Sequence, residues 1–160
     1  MKQLKLSYLA LGSNIGDRQN NLQQAIGLLE QTVSVLKVSR YYRSKAVTPT
    51  LQRDYFNCVV LVSSAFSPEK LLEQCKSIEK KMGRLIDADL KPRTIDIDIL
   101  LFENEQRNSP KLIIPHPRML VRDFVLKPLL DIIPSSDDRY DYYYKHLNNQ
   151  PCEVIGALND

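Results

Sequence analysis

Residues 4–11, LKLSYLAL, form a short apolar run that stops at Gly12-Ser13-Asn14, the pattern of a strand entering a turn. Asp17 stands where an N-cap belongs. Leu22, Ala25, Ile26 and Leu29 then recur at the i, i+3, i+4, i+7 spacing of one buried helix face. Residues 33–43, VSVLKVSRYYR, alternate and are rich in β-branched and aromatic side chains, which predicts a second strand. Ser44–Arg53 has no periodicity and reads as a loop of about ten residues, long enough to cover a site. Residues 55–64, YFNCVVLVSS, predict a third strand. Ser67-Pro68-Glu69 opens a second helix with its cap, a proline at the first helical position and an acid in the first turn. Leu71, Cys75, Ile78 and Met82 make its buried stripe, and Gly83 ends it. After the polar segment Arg84–Pro92, TIDIDILLF predicts a fourth strand, Leu112–Ile114 a short one, and Phe124–Ile133 a partly helical segment. The order β-α-β-β-α-β predicts an α+β, ferredoxin-like fold: an antiparallel sheet with helices on one face and long active-site loops.

Length and composition narrow the class. A chain of 160 residues fits a single domain spanning 1–160. With 43% apolar and 26% charged residues it is neither a disordered segment nor a disulfide scaffold. The net charge of +3 is too small to predict nucleic-acid binding. The apolar N-terminal run is broken by Lys5 and Ser7, unlike a signal peptide, and no stretch is long enough for a membrane span. Cys58, Cys75 and Cys152 are odd in number, lack CxxC spacing and read as reduced thiols. These features predict a cytoplasmic protein with no nucleic-acid or membrane partner; a monomer is the expectation, although none of these features sets the oligomeric state. The Asp/Tyr-rich stretch Asp137–Tyr144 is the one biased segment, and His146 beside it reads as a surface residue.

The sharpest chemical signal is Arg93-Thr94-Ile95-Asp96-Ile97-Asp98-Ile99. On a strand, Asp96 and Asp98 share one face while the isoleucines point to the core, and the acids' Cα atoms stand ~6–7 Å apart. Such hard oxygen donors suit Mg²⁺ completed by substrate phosphates; a solvated strand face carrying two acids is the plain alternative. Their company favours the metal. Arg84, Arg93, Arg118, Arg122 and His116 lie nearby in sequence, as a polyphosphate held between metal and guanidinium forks requires. Strict alternation gives Arg93 the parity of Ile95, facing away from the acids. No GxxxxGK[ST] is present, so a P-loop is excluded, and Gly12–Gly16 does not fit GxGxxG. Asn57 interrupts an apolar strand on the same face as Tyr55. Its amide either reads the edge of a flat heterocycle or bonds to neighbouring backbone.

Six segments in order, LGSNIGD at 11–17, SRYYRS at 39–44, DYFNCVV at 54–60, IEKKMGR at 78–84, PRTIDIDIL at 92–100 and IPHPRMLVRDFVLKPL at 114–129, resemble the 6-hydroxymethyl-7,8-dihydropterin pyrophosphokinase family. The resemblance covers residues 6 to about 134 and implies transfer of pyrophosphate from ATP to the pterin's hydroxymethyl group, releasing AMP, in folate biosynthesis. It further implies two Mg²⁺ ions held by Asp96 and Asp98, and a pterin site made by Ser44, Val47, Tyr55, Asn57 and Phe124. ATP would be held by Glu79, Arg84, Arg93, His116 and Arg122, with Arg84 and Arg93 as catalytic cations. A nucleophile carried by the substrate needs no Ser or Cys from the enzyme, which then supplies positioning and charge neutralisation.

The segment Leu85–Lys91 departs from the family. Ile86 stands where a second arginine is usual, Leu90-Lys91 replaces an aromatic-glycine pair, the loop is about one residue short, and Asp87 and Asp89 add negative charge. These changes predict altered lid behaviour and weaker ATP binding. Two other readings are a ferredoxin-like RNA-binding module, disfavoured by the acids on the sheet and the lack of an RNP1-like pattern, and a homologue that binds but does not catalyse.

Overall fold

The computed structural model describes residues 3–46, 52–83 and 94–156. β1 (Lys5–Ser13) runs through the middle of the main sheet, antiparallel to both β4 (Tyr55–Ser64) and β5 (Asp96–Phe102). β2 (Ser34–Val38) and β3 (Tyr41–Ser44) pair with the other edge of β4, and β8 (Cys152–Gly156) extends the sheet beyond β3. The order β5-β1-β4-β3 is the split βαβ arrangement: β4 lies between β1 and the strands that follow helix α1 (Arg18–Leu29). A two-stranded ladder of β6 (Arg107–Asn108) and β7 (Ile113–Ile114) leads towards α3 (Asp123–Ile132).

Helix starts follow the sequence. The Asp17 carboxylate accepts the Asn20 N–H at 3.1 Å to cap α1, and the Ser67 hydroxyl accepts the Lys70 N–H at 3.1 Å to cap α2 (Pro68–Lys81). Each cap contributes about 1 kcal/mol. Gly83, at φ +95°, follows the end of α2 in a conformation open to glycine.

Two expectations need correction. Residues 33–43 form two strands, because the regular ladder breaks at Ser39 and Arg40; the Ser39 N–H still donates to the Val59 carbonyl at 2.9 Å, but a side chain takes over as acceptor. The Ser39 hydroxyl accepts the Val59 N–H at 2.9 Å, while Arg40 donates from both its main-chain N–H and its guanidinium to Asp131 on α3. Helices also cover both sheet faces rather than one. Leu22, Ala25, Ile26 and Leu29 of α1 and Leu71, Cys75 and Ile78 of α2 pack on Leu9, Leu11, Val60 and Val62. On the opposite face Val125, Leu126 and Leu129 of α3, with Tyr143 of α4 (Tyr140–Lys145), pack on Tyr8, Val59 and Leu61. A bulge in β5 serves both cores. Tyr8 faces Leu101 and Leu9 faces Ile99, leaving Leu100 as the extra residue. Ile97, Ile99 and Phe102 therefore enter the first core, and Leu100 and Leu101 the second.

The C-terminal segment belongs to this fold. The buried Asp123 carboxylate accepts main-chain N–H groups of Asn148 and Gln150 at 3.0 and 2.9 Å, and the Gln150 side chain accepts the Asp123 N–H at 3.0 Å. Cys58 and Cys75 are buried and Cys152 half-buried; all three are free thiols whose pKa values burial pushes up. Among the described residues no helix is long and apolar enough to cross a membrane.

Candidate active site

The α3 face of the sheet carries an open cavity of about 430 Å³ where α3 does not cover the ends of β1, β4 and β5. Ser44, Tyr55, Asn57, Asp96, Asp98, His116, Arg122 and Phe124, all singled out in the sequence, line it together. Val47, Arg84, Arg93 and the atypical segment Leu85–Lys91 lie outside the described residues.

Strand register explains the convergence. Gly12 of β1 is the partner of Asn57 on β4 and also of Asp96 on β5, so one cross-strand row carries all three. Ala10, two residues earlier, is the partner of both Val59 and Asp98. A strand spacing of about 4.8 Å puts the Asn57 and Asp96 main chains about 10 Å apart, with small residues between them.

At the β4 end, Asn57 is 5% exposed and its Nδ2 donates to Ser44 Oγ at 2.8 Å. The amide's donor thus goes to a side chain on the neighbouring strand, which fixes the plane in which it faces the cavity. Tyr55 comes from the sheet and Phe124 from the first turn of α3, giving two aromatic rings to one cavity.

At the β5 end, Asp98 has 37% of its side chain open to the cavity, yet its pKa is pushed up to about 7. Burial on the cavity floor is the main cause, and the adjacent Asp96 charge adds to it against Lys76 and Arg122. Two acids held side by side in this way fit a divalent cation, which would relieve both effects. Among the described residues no group of three His, Cys, Asp or Glu side chains could hold a metal. Two carboxylates alone would leave most positions of a hard cation such as Mg²⁺ to other oxygen ligands.

His116 sits 4.0 Å from Asp98, measured from Nε2 to Oδ2. Its Nδ1 accepts the Arg118 N–H at 3.2 Å, which leaves the proton of a neutral ring on Nε2, facing the cavity. Burial, with Arg122 and Arg118 nearby, lowers its pKa and keeps it neutral at pH 7. Arg122 lies with its guanidinium 5.5 Å from the Phe124 ring centre, drawn below its ordinary pKa range by burial while Asp98 pulls the other way.

Glu79 does not line the cavity. It is 2% exposed, and its Oε2 accepts the Ile97 N–H at 2.7 Å while its Oε1 pairs with Lys76 Nζ at 3.2 Å. Lys76 does line the cavity, as do Lys45, Arg118 and Gly12. The family resemblance implies a place at the site for the backbone of Ser44–Val47, which includes Lys45, but none for Lys76. Lys76 falls three residues before Glu79 on the same helix edge, and that spacing was the available signal.

The domain is an α+β sheet whose cleft carries aromatic rings and an amide at one end and paired acids among cations at the other, a lining chemically suited to a flat ligand beside an anionic one. Comparison with known proteins specifies the family. The family model described as 7,8-dihydro-6-hydroxymethylpterin-pyrophosphokinase matches residues 8–134. The 2-amino-4-hydroxy-6-hydroxymethyldihydropteridine pyrophosphokinase of Bacillus subtilis is 45% identical over 129 residues, covering 79% of this chain and 77% of that one. The protein of the same description from Aquifex aeolicus is 41% identical over 128 residues, covering 80% of each. A crystal structure of Plasmodium falciparum HPPK-DHPS matches with a TM-score of 0.66 at 17% identity, over 94% of this chain and 44% of that one. A structure of HPPK-DHPS in complex with substrates matches with a TM-score of 0.67 at 17% identity, over 95% and 47%. This chain thus spans less than half the length of these solved chains, and at such identity they show the fold. The chain belongs to the 7,8-dihydro-6-hydroxymethylpterin-pyrophosphokinase family.

Proposed function

We propose that this domain transfers the terminal pyrophosphate of ATP to the hydroxymethyl group of 6-hydroxymethyl-7,8-dihydropterin and releases AMP, a step of folate synthesis. The observation that carries this reading is the cross-strand row Asn57–Gly12–Asp96, which joins a buried amide to one of two paired acids within one cavity.

In this reading the pterin lies between Tyr55 and Phe124, with its ring edge on the Asn57 amide, Ser44 fixing that amide, and the residues around Val47 closing the site. Its hydroxymethyl oxygen then points towards Asp96 and attacks the β-phosphorus of ATP in line. The bond from that phosphorus to the oxygen bridging to the α-phosphate breaks, AMP leaves with the bond's electron pair, and the hydroxyl proton is released. Asp96 and Asp98 would hold two Mg²⁺ ions, which when bound neutralise phosphate charge and favour loss of the hydroxyl proton. His116 donates from Nε2 to a phosphate oxygen, and Arg122 supplies a fixed cation. Arg84 and Arg93 add the charge needed as negative charge builds in the transition state. Glu79 serves ATP indirectly, by holding Lys76 and the main chain between the two acids. We further propose a monomer working as one domain in a reducing, cytoplasmic setting, in keeping with its three free thiols.

The test is equilibrium binding of 6-hydroxymethyl-7,8-dihydropterin in the presence of Mg²⁺ and an ATP analogue with a methylene group between its α- and β-phosphorus atoms. Formation of a ternary complex, with pterin binding weakened at least about tenfold by Asn57→Ala, is expected from loss of well-made hydrogen bonds. Absence of pterin binding to the wild type overturns the reading.

A further inference from the structure

Gly12 brings no side chain of its own, yet it occupies the midpoint of the site. It is the register partner of both Asn57 and Asp96. A Cβ built on it would stand 3.2 Å from Asn57 Oδ1 and 3.2 Å from Tyr55 Cδ1. Both distances are tighter than ordinary van der Waals contact, so a side chain here must push on the amide, the ring or both. Asn57 cannot yield without cost, because its Nδ2 is tied to Ser44 Oγ at 2.8 Å. Gly12 is not among the glycines at positive φ, which are Gly16, Gly83 and Gly156. Its strand conformation is therefore open to alanine, and room for a side chain, rather than backbone freedom, is what sets its identity.

We propose that Gly12 is the specificity-determining floor of the pterin site. Its bare backbone leaves Tyr55 and Asn57 the room to hold the face and edge of a flat bicyclic ring, and keeps open the path along which the hydroxymethyl group reaches Asp96. The span of about 10 Å between the Asn57 and Asp96 main chains, two strand spacings, accommodates such a ring with a one-carbon arm. A methyl group at Gly12 would press on Tyr55 and Asn57, the two side chains that hold the face and the edge of that ring. The effect of a side chain here falls on the pterin and spares the nucleotide, whose phosphates meet Asp96, Asp98 and His116. This inference rests on the function proposed above.

The experiment compares wild type, Gly12→Ala and Gly27→Ala. Each is titrated with 6-hydroxymethyl-7,8-dihydropterin in the presence of Mg²⁺ and the methylene ATP analogue, and separately with the Mg²⁺ complex of that analogue alone, and each is melted. Gly27 lies in α1, where an added Cβ meets nothing within 4 Å, so Gly27→Ala leaves both affinities unchanged. For Gly12→Ala the pterin dissociation constant and the KM for pterin rise about tenfold or more, the equivalent of a lost hydrogen bond. Its nucleotide affinity stays within about twofold, and it still unfolds cooperatively. Unchanged pterin affinity overturns the inference. So does an equal loss of both affinities or the loss of cooperative unfolding, since Gly12 would then be structural. Failure of the wild type to bind pterin is the separate outcome that removes the proposed function itself.

Discussion

The Glu79 carboxylate accepts the main-chain N–H of Ile97 at 2.7 Å, and Ile97 is the residue between the two acids of the cavity floor. A buried side chain of α2 thus fixes the strand segment that presents Asp96 and Asp98, while its second oxygen holds Lys76 at the cavity wall. Removing it leaves a buried N–H without that partner, at a cost of about 1–3 kcal/mol. Glu79→Ala should lose about this much stability by urea unfolding. Glu79→Gln, whose amide oxygen can still accept from Ile97, should lose clearly less. Equal losses in the two variants would show that the Ile97 bond contributes little.

Asp98 makes the stability of the metal-free protein depend on pH. Its folded pKa of about 7 lies above the ordinary carboxylate value of 3.8, so between these values the folded chain keeps a proton that the unfolded chain has released. The resulting stabilisation is complete below about pH 4, declines as pH rises, and is gone above about pH 7. Melting with EDTA present should show this decline, and Asp98→Asn should flatten it. The same variant should have almost no turnover. A profile indifferent to Asp98→Asn would contradict the crowded-acid arrangement.

In the proposed pterin site Ser44 acts through Asn57. Ser44→Ala removes the 2.8 Å bond that orients the amide, leaving the amide itself in place. Pterin affinity should fall about three- to tenfold, less than for Asn57→Ala, with nucleotide affinity unchanged. Titration of both ligands checks this, and a Ser44→Ala loss as large as that of Asn57→Ala would mean that Ser44 meets the pterin directly.

What could be read from the sequence was what neighbours in the chain decide. The capped start of α2 at Ser67-Pro68 and the apolar run of β4 needed no distant partner to be recognised, and both stand where they were expected. The break between β2 and β3 depends on Asp131, ninety-one residues from Arg40, and no local pattern signals it. β8 was missed because it exists only as a neighbour of β3, and α4 because six residues give too little periodicity. Within the site, Asp96, Asp98 and Asn57 stood out as polar residues in apolar strands. Lys76 looked like any lysine on the outer side of a helix, and the place of Gly12 between Asn57 and Asp96 emerges only from the pairing of three strands.

The most direct measurement follows the phosphorus atoms. The wild-type chain is incubated with ATP, Mg²⁺ and 6-hydroxymethyl-7,8-dihydropterin, and the reaction is read by ³¹P NMR. AMP and a pterin diphosphate appearing together, in equal amounts and only when pterin is present, is the predicted result. ADP with a pterin monophosphate, or an unchanged ATP spectrum, would contradict pyrophosphoryl transfer by this site.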